Sequence, residues 1–224
     1  MNPLDFTIRT RKDLEQAIRT LGILPFFENR IPGFSIEEHV APEAWFSAEE
    51  GVWEWKGPLI RENAFAYGKL FEKKAVFMTQ DLYLDLANYR RDGYDFDALW
   101  DDGKASFRAR KIMELFRGGE ELFSWQVRQM AGFGPGGEKN FEGAVTALQM
   151  QTYLVIRDFR CRVNRQGLPY GWPVAVYTTP EARWGEAVTA AYGEAPEDSR
   201  RRIAAHLARL WPAAAPGQIR RIVG

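Results

Sequence analysis

The sequence predicts an α+β protein, because helical periodicity marks both ends of the chain and strand-like alternation marks its centre. Apolar residues recur at spacings of three and four in several short runs, whereas one central stretch alternates apolar with polar residues. The chain has 224 residues, of which 46% are hydrophobic and 14% aromatic. This composition supplies enough apolar surface for one large domain or two small ones, and it argues against disorder.

A first amphipathic helix is predicted near the N-terminus, after a candidate cap at Thr10. Leu14, Ile18 and Leu21 fall on one helical face, and Gly22 ends the run. We expect this apolar stripe to face the core.

The segment Val52–Gly57 alternates tryptophan with charged residues, which predicts a short strand. In a strand, Trp53 and Trp55 share one face. Two interpretations stay open: both rings belong to the core, or they form an aromatic pocket wall that stacks a base or another planar ligand. Short apolar segments follow at Ala64–Phe71 and Ala75–Met78.

The centre of the chain predicts three helices and a long β-hairpin. The helices are expected at Phe107–Phe116, at Trp125–Ala131 and from about Glu138 onward. Alternation along Tyr153–Val163 predicts a strand, turn residues follow, and Trp172–Thr178 is a β-branched and aromatic return strand. Three helices followed by a hairpin is the order of a winged-helix module, which we place at the centre of the α+β fold.

This interpretation divides the chain into three segments. Residues 1–103 form an N-terminal α/β segment, a candidate for a degenerate winged-helix-like module. Residues 104–179 form the winged helix, and residues 180–224 form C-terminal helices that pack on the core.

Charge is balanced overall but uneven along the chain. Thirty Lys and Arg balance thirty Asp and Glu, so net charge alone does not indicate a nucleic-acid partner. Lys104–Arg165 holds 11 basic against 6 acidic residues, whereas Glu28–Glu62 holds 8 acidic against 3 basic residues. The predicted winged helix is therefore the basic part. Seven of its side chains are candidates for phosphate contacts: Arg108, Lys111, Arg128, Lys139, Arg160, Arg162 and Arg165.

The sequence offers little for a metal or a redox cofactor, and we expect neither. Cys161 is the single cysteine and there are two histidines, which excludes an intramolecular disulfide, a Cys-based zinc site and a His-rich metal centre. No segment has the apolar length of a membrane span, and the N-terminus lacks the apolar run of a signal peptide. We expect a reducing, cytoplasmic setting and no membrane partner.

Five motifs between Trp53 and about Glu186 resemble one known family: Val52–Pro58, Lys73–Phe77, Ala87–Gly93, Leu148–Tyr153 and Val176–Glu181. They are similar to those of the bacterial AlkZ/YcaQ-type DNA glycosylases, which are built from winged-helix modules. The similarity is greatest to the smaller proteins described as AlkZ-related. The resemblance implies a duplex DNA partner and removal of alkylated bases or unhooking of interstrand crosslinks.

The family's motif beside the damaged nucleotide is Gln-apolar-Gln or Gln-apolar-Asp. The matching residues here are Gln149-Met150-Gln151, so the resemblance implies catalytic roles for Gln149 and Gln151. A glutamine can position water near C1′ of an oxocarbenium-like sugar, although it is not a strong base. In the glycosylases the motif belongs to the first winged helix, whereas here it ends the third helix of the central one. The alternative is that both are polar residues on an exposed helix-to-strand turn.

Three classes of function stay open on this sequence. The chain is a base-excising DNA glycosylase, a winged-helix protein that binds nucleic acid without catalysis, or a module that binds a protein or a small ligand. A basic stripe beside an aromatic pocket would favour the first class, and a basic stripe over a filled core would favour the second. Absence of DNA binding would favour the third.

Overall fold

The computed structural model describes residues 6–45 and 50–224. Within them, helices combine with two small antiparallel sheets, so the predicted α+β fold class is confirmed. Residues 1–5, and Glu49 among the acidic residues counted above, lie outside the described residues. Buried apolar side chains from Ile8 to Val223 form one contiguous core. All three predicted segments contribute to it, and the division at residues 103 and 179 stays a prediction.

Helix α1 (Arg11–Leu21) begins where the sequence predicts. The Thr10 hydroxyl accepts a hydrogen bond from the Asp13 backbone N–H at 3.2 Å, and the Asp13 carboxylate accepts one from the Thr10 N–H at 2.9 Å. These reciprocal bonds satisfy donors that a helix start otherwise leaves unpaired. The three residues of the predicted apolar stripe are fully buried: Leu14, Ile18 and Leu21.

The first sheet consists of β1 (Ile23–Pro25), β2 (Ala66–Phe71) and β3 (Lys74–Met78). The two outer strands, β1 and β2, both pair antiparallel with β3. A two-residue turn, Glu72 and Lys73, closes the hairpin β2–β3, and both residues have positive φ, 46° and 63°. Most residues of this hairpin are buried, so the sheet is covered on both faces.

Val52–Gly57 is helical, so the predicted strand is wrong. These residues open helix α3 (Val52–Glu62). Alternation over so few residues does not distinguish a strand from a helix. Because residues two apart point to different sides of a helix, Trp55 is buried at 6% exposure, whereas Trp53 is 41% exposed. The two tryptophans therefore do not share one face.

Residues 107–178 contain the predicted helices and hairpin. The elements are α6 (Phe107–Met113), β4 (Leu122–Phe123), α7 (Ser124–Met130), α8 (Phe141–Met150), β5 (Val155–Val163) and β6 (Pro169–Thr178). The strands form a second sheet in the order β4–β6–β5. This is the element order that the winged-helix prediction requires, and the winged-helix assignment itself stays our interpretation. Helix α8 buries three apolar residues that recur at spacings of four and three: Phe141, Val145 and Leu148.

The alternation predicted along β5 is interrupted by an irregularity. The pairing with β6 shifts between Ile156 and Asp158, which leaves Arg157 without a partner position on β6. Asp158 lies on the side that the sequence marks as polar, yet only 1% of it is exposed. A buried carboxylate therefore stands at the base of the long hairpin.

The remaining helices surround the two sheets. They are α2 (Pro42–Trp45), α4 (Gln80–Arg91), α5 (Phe96–Asp101), α9 (Pro180–Trp184), α10 (Glu186–Ala190), α11 (Pro196–Leu210) and α12 (Pro216–Val223). Helix α11 packs on α4 and on α12, and α12 was not predicted from the sequence.

The two sheets meet through reciprocal helix–strand packing. Helix α3, which precedes the first hairpin, packs on β5, and helix α8, which precedes the second hairpin, packs on β2. Strands β2 and β5 also contact each other. This arrangement brings α3 to the base of the long hairpin β5–β6.

Candidate nucleic-acid site

A cavity of about 670 Å³ lies between α3 and the hairpin β5–β6, and we call it the aromatic cavity. Its walls combine aromatic and charged side chains from the two elements. The lining residues are Trp45, Glu50, Trp53, Glu54, Lys56, Pro58, Arg61, Phe159, Trp172 and Pro173. A cavity of this size can hold a nucleotide-sized ligand.

The aromatic walls come from both sides of the cavity. On the helix side, the Trp53 ring lies 5.3 Å from the Trp45 ring and 4.9 Å from Phe26, between centroids. On the hairpin side, Phe159 belongs to β5 and Trp172 to β6, and Trp172 is 85% exposed. Rings on both sides of the cavity can stack with a planar ligand.

Lys56 extends its amine between these aromatic walls. The Nζ atom lies 4.7 Å from the Trp53 ring centroid, 4.8 Å from Phe159 and 5.5 Å from Phe26. Burial lowers the pKa of this amine below the usual lysine value, and the charge of Glu54 opposes the shift only in part. Among the described residues, no carboxylate forms an ion pair with Lys56.

The buried carboxylate of Asp158 bonds to Arg61, whose side chain lines the cavity. It accepts hydrogen bonds from the Arg61 guanidinium at 2.6 Å, from Arg160 at 2.5 Å and from the Phe159 backbone N–H at 2.7 Å. A Cβ on Gly57 would lie 3.3 Å from Asp158 Oδ1 and from the Phe159 carbonyl oxygen. The glycine therefore allows α3 to approach β5 closely at this point.

Two further carboxylates, Glu50 and Glu54, line the same cavity. Glu54 Oε2 accepts a hydrogen bond from the Gly51 backbone N–H at 2.9 Å, which caps the start of α3. Its second oxygen, Oε1, has no hydrogen bond to any described residue. This oxygen can accept a proton or a hydrogen bond from a bound molecule.

The predicted phosphate-binding residues fall into two groups. Three of them are already paired with carboxylates: Arg108 and Lys111 with Glu138, at 3.1 and 3.3 Å, and Arg160 with Asp158 and Glu121. The other four form no ion pair with any described residue: Arg128, Lys139, Arg162 and Arg165. Of these, Arg162 lies over the Trp125 ring at 5.1 Å, and Arg165 is exposed at the tip of the hairpin.

Gln149 and Gln151 lie away from the aromatic cavity and do not converge. Gln149 is 1% exposed; its Oε1 accepts from the Lys69 backbone N–H at 2.9 Å, and its Nε2 donates to the Val145 carbonyl at 3.3 Å. Gln151 is the exposed C-cap of α8. Gln149 therefore joins α8 to β2, and the alternative interpretation as an exposed turn residue is wrong for Gln149, because this side chain is buried. The catalytic role of the pair stays a prediction.

The profile of one protein family matches residues 8–224, and its description is AlkZ related. The chain belongs to the AlkZ-related family. This membership relates it to DNA-repair proteins of the glycosylase type. No curated protein and no solved structure matches the chain.

Among the described residues, none of the helices combines the length and apolarity that a bilayer crossing needs. Nor does that part of the chain bring together three His, Cys, Asp or Glu side chains that could hold a metal ion.

The sequence pointed to only part of the aromatic cavity of this AlkZ-related protein. Trp53 was predicted as a pocket wall and lines the cavity, whereas Trp55 is buried in the core and does not. Lys56, Phe159 and Trp172 were not predicted. The missed signal was helical spacing: Trp53 and Lys56 are three residues apart and share a helix face, which a strand interpretation conceals.

Proposed function

We propose that this AlkZ-related protein binds duplex DNA along the hairpin β5–β6 and excises an alkylated base that it receives in the aromatic cavity. The observation that carries the proposal is the cavity itself, which places aromatic rings, two cations and two carboxylates within one concavity beside an exposed hairpin. Enzymes that act on a base must remove it from the duplex, and aromatic stacking offsets part of the lost base stacking.

The cations without ion pairs support contact with the DNA backbone. Arg162 and Arg165 lie on the exposed half of the hairpin, and Arg128 and Lys139 lie on α7 and just before α8. Phosphate contacts from such residues would position the duplex without reading its sequence. Trp172, 85% exposed at the rim of the cavity, can stack on the neighbouring base while the damaged base leaves the helix.

The chemistry requires a leaving base, a stabilised sugar and a water molecule. Alkylation at a ring nitrogen makes a purine an electron-poor leaving group, and aromatic walls stabilise such a cationic base. The C1′–N bond breaks, the sugar carries positive charge, and water attacks C1′. In this proposal the Glu54 carboxylate takes the proton of that water through Oε1, because a carboxylate is the stronger base compared with a glutamine amide.

The test is the release of methylated purines from methylated duplex DNA under single-turnover conditions. Glu54→Gln keeps an oxygen that can accept the Gly51 N–H bond but removes the base, so we expect release to fall by roughly 10²-fold or more. Glu62→Gln, at the end of the same helix and paired with Arg11 outside the cavity, is the matched control and should retain full activity. Equal release by Glu54→Gln and by the unchanged protein would exclude this site.

A second candidate function is protein binding through the hairpin. Its distal half exposes four large apolar side chains: Val163, Leu168, Tyr170 and Trp172. An exposed apolar surface of this kind is typical of interaction sites. DNA retention across a salt series separates the two candidates, since phosphate contacts weaken as salt rises, and a protein that retains no DNA at low salt would favour protein binding.

A further inference from the structure

Lys56 has an environment that differs from those of the other cations around the cavity. Its Nζ lies over three aromatic rings, and no described carboxylate pairs with it, whereas Arg61 on the same helix is bound to Asp158. A structural cation at this depth would be expected to have an acidic partner. The side chain is half-buried and lines the cavity, so a ligand that enters the cavity would contact this side chain.

An amine in such surroundings has a lowered pKa, because burial disfavours its charged form. Near pH 7 the unprotonated fraction of this amine is therefore larger than that of an ordinary lysine. The unprotonated amine is a nucleophile toward carbonyl carbon. The charged groups that line the same cavity are Glu50, Glu54 and Arg61, and Arg61 is bonded to the buried Asp158. A carbonyl ligand that reaches the cavity would therefore meet a reactive amine.

We propose that Lys56 captures the aldehyde of an abasic deoxyribose as a covalent imine. The inference rests on the proposed function, because base excision in the cavity would leave an abasic sugar at this position. It extends that function to a second ligand class, DNA that has already lost a base.

The step is balanced without an oxidant or a reductant. The ring-opened abasic sugar presents a C1′ aldehyde. The Lys56 lone pair forms an N–C1′ bond, the C=O π pair moves to oxygen, and proton transfer gives a carbinolamine. Protonation of the carbinolamine hydroxyl lets it leave as water, which breaks the C1′–O bond; the nitrogen lone pair forms the C=N bond of a protonated imine, and hydrolysis reverses the step.

The cavity offers a second contact for such a ligand. Arg61 lines it and retains 43% side-chain exposure despite its bond to Asp158. Its remaining N–H groups can donate to a phosphate next to the abasic sugar. An abasic site is also smaller than an intact nucleotide, so the sugar can enter the cavity without the base.

The experiment uses the full chain and a duplex that carries a single preformed abasic site, made by removing uracil. Sodium borohydride reduces an imine to a stable amine, so capture appears as a covalent protein–DNA complex on a denaturing gel. We expect the unchanged protein to form this complex. Lys56→Arg, which keeps the charge, should form about tenfold less of the complex, or even less than that. Lys69→Arg is the matched control and should retain the complex, because Lys69 lies on β2 and its amine donates to Thr146 of α8.

Peptide mapping of the reduced complex adds a test that needs no variant, and the adduct should lie on Lys56. An adduct on another amine, or undiminished trapping in Lys56→Arg, would overturn the proposal. Binding of the abasic duplex is measured in parallel on a filter. Binding without trapping overturns the imine and leaves the proposed base excision intact, whereas no binding of any duplex overturns both. Because the abasic site is supplied ready-made, failure of base release does not affect this test.

Discussion

Residues 11–78 and residues 107–178 have the same order of elements but differ in their exposure to solvent. Each has a helix, a short strand, two further helices and a hairpin, and in each sheet the short first strand pairs with the last. The first hairpin turns in two residues and is largely buried. The second is longer, and its residues 162–173 are all exposed. The same order of elements thus gives a buried hairpin, β2–β3, in the first region and a hairpin with an exposed distal half, β5–β6, in the second.

The two helix–strand junctions differ in the same way. At the α8–β2 junction, Gln149 bonds to the Lys69 backbone and leaves no space: a Cβ on Gly68 would lie 2.9 Å from Gln149 Oε1. At the α3–β5 junction, Asp158 of β5 bonds to Arg61 of α3, and the aromatic cavity lies beside this ion pair. The Gln-Met-Gln motif therefore belongs to the closed junction, while the chemically equipped cavity belongs to the open one. The catalytic role implied for Gln149 and Gln151 stays a prediction, which base release by variants of the two glutamines tests.

The largest expected change in unfolding free energy comes from removing the Asp158 carboxylate at the open junction. Asp158→Ala deletes three hydrogen bonds, two of them to guanidinium groups. Arg61 and Arg160 are partly exposed and can turn to water, so we expect unfolding free energy to fall by about 3 kcal/mol rather than more. Urea denaturation measures this change in unfolding free energy. Asp158→Asn, which keeps the shape, should lose less, and a loss below about 1 kcal/mol in Asp158→Ala would mean that the carboxylate does not hold the junction.

A somewhat smaller effect is expected at the closed junction. Gln149→Ala leaves the Lys69 N–H without its acceptor and opens a small cavity, which together cost about 2 kcal/mol in unfolding free energy. Gln151→Ala, at an exposed cap, should change it by less than about 0.5 kcal/mol. Both variants should release methylated purines normally once folded. A folded Gln149→Ala that releases no base would instead restore the motif as the site.

Local periodicity predicted the elements that bury one clear face, and it failed where tertiary contacts decide. The stripe of α1 and the inward face of α8 follow from spacing alone, and both are buried. The strand predicted at Val52–Gly57 is wrong, because alternation over so few residues does not exclude a helix. The Gly57-Pro58 pair disfavours a helix, but packing of α3 against β5 overrides that preference.

From the sequence, we could predict only those residues of the candidate site whose positions do not depend on contacts between distant parts of the chain. The exposed Arg162 and Arg165 follow from the hairpin pattern. The burial of Asp158 depends on a register irregularity and on Arg61, which lies 97 positions earlier in the chain. No local pattern contains that information, and the same holds for the approach of Phe159 to Lys56.

The exposure of the second hairpin predicts a moderate effect on DNA binding. Replacing Arg162 and Arg165 together by alanine removes two cations that form no ion pair with any described residue, so the slope of log affinity against log salt should fall by up to about 1.8. Retention on a duplex across a salt series measures the slope. Arg108→Ala is the control, because that guanidinium is paired with Glu138 at 3.1 Å, and its slope should stay near that of the unchanged protein. Equal slopes for all three proteins would exclude the hairpin as the DNA surface.

The smallest effect distinguishes the two hairpin turns. Lys73 has φ of 63°, a conformation that costs a side-chain-bearing residue about 1 kcal/mol or more but that glycine adopts freely. Part of this gain is lost to the greater entropy of glycine in the unfolded chain, so Lys73→Gly should raise unfolding free energy by about 0.5 kcal/mol. Arg165→Gly is the matched change in the long hairpin, where φ is not positive and the tip is exposed, and it should give no gain. A gain at position 165 equal to that at position 73 would mean that relief of backbone strain does not explain the gain, since Lys73 has positive φ and Arg165 does not.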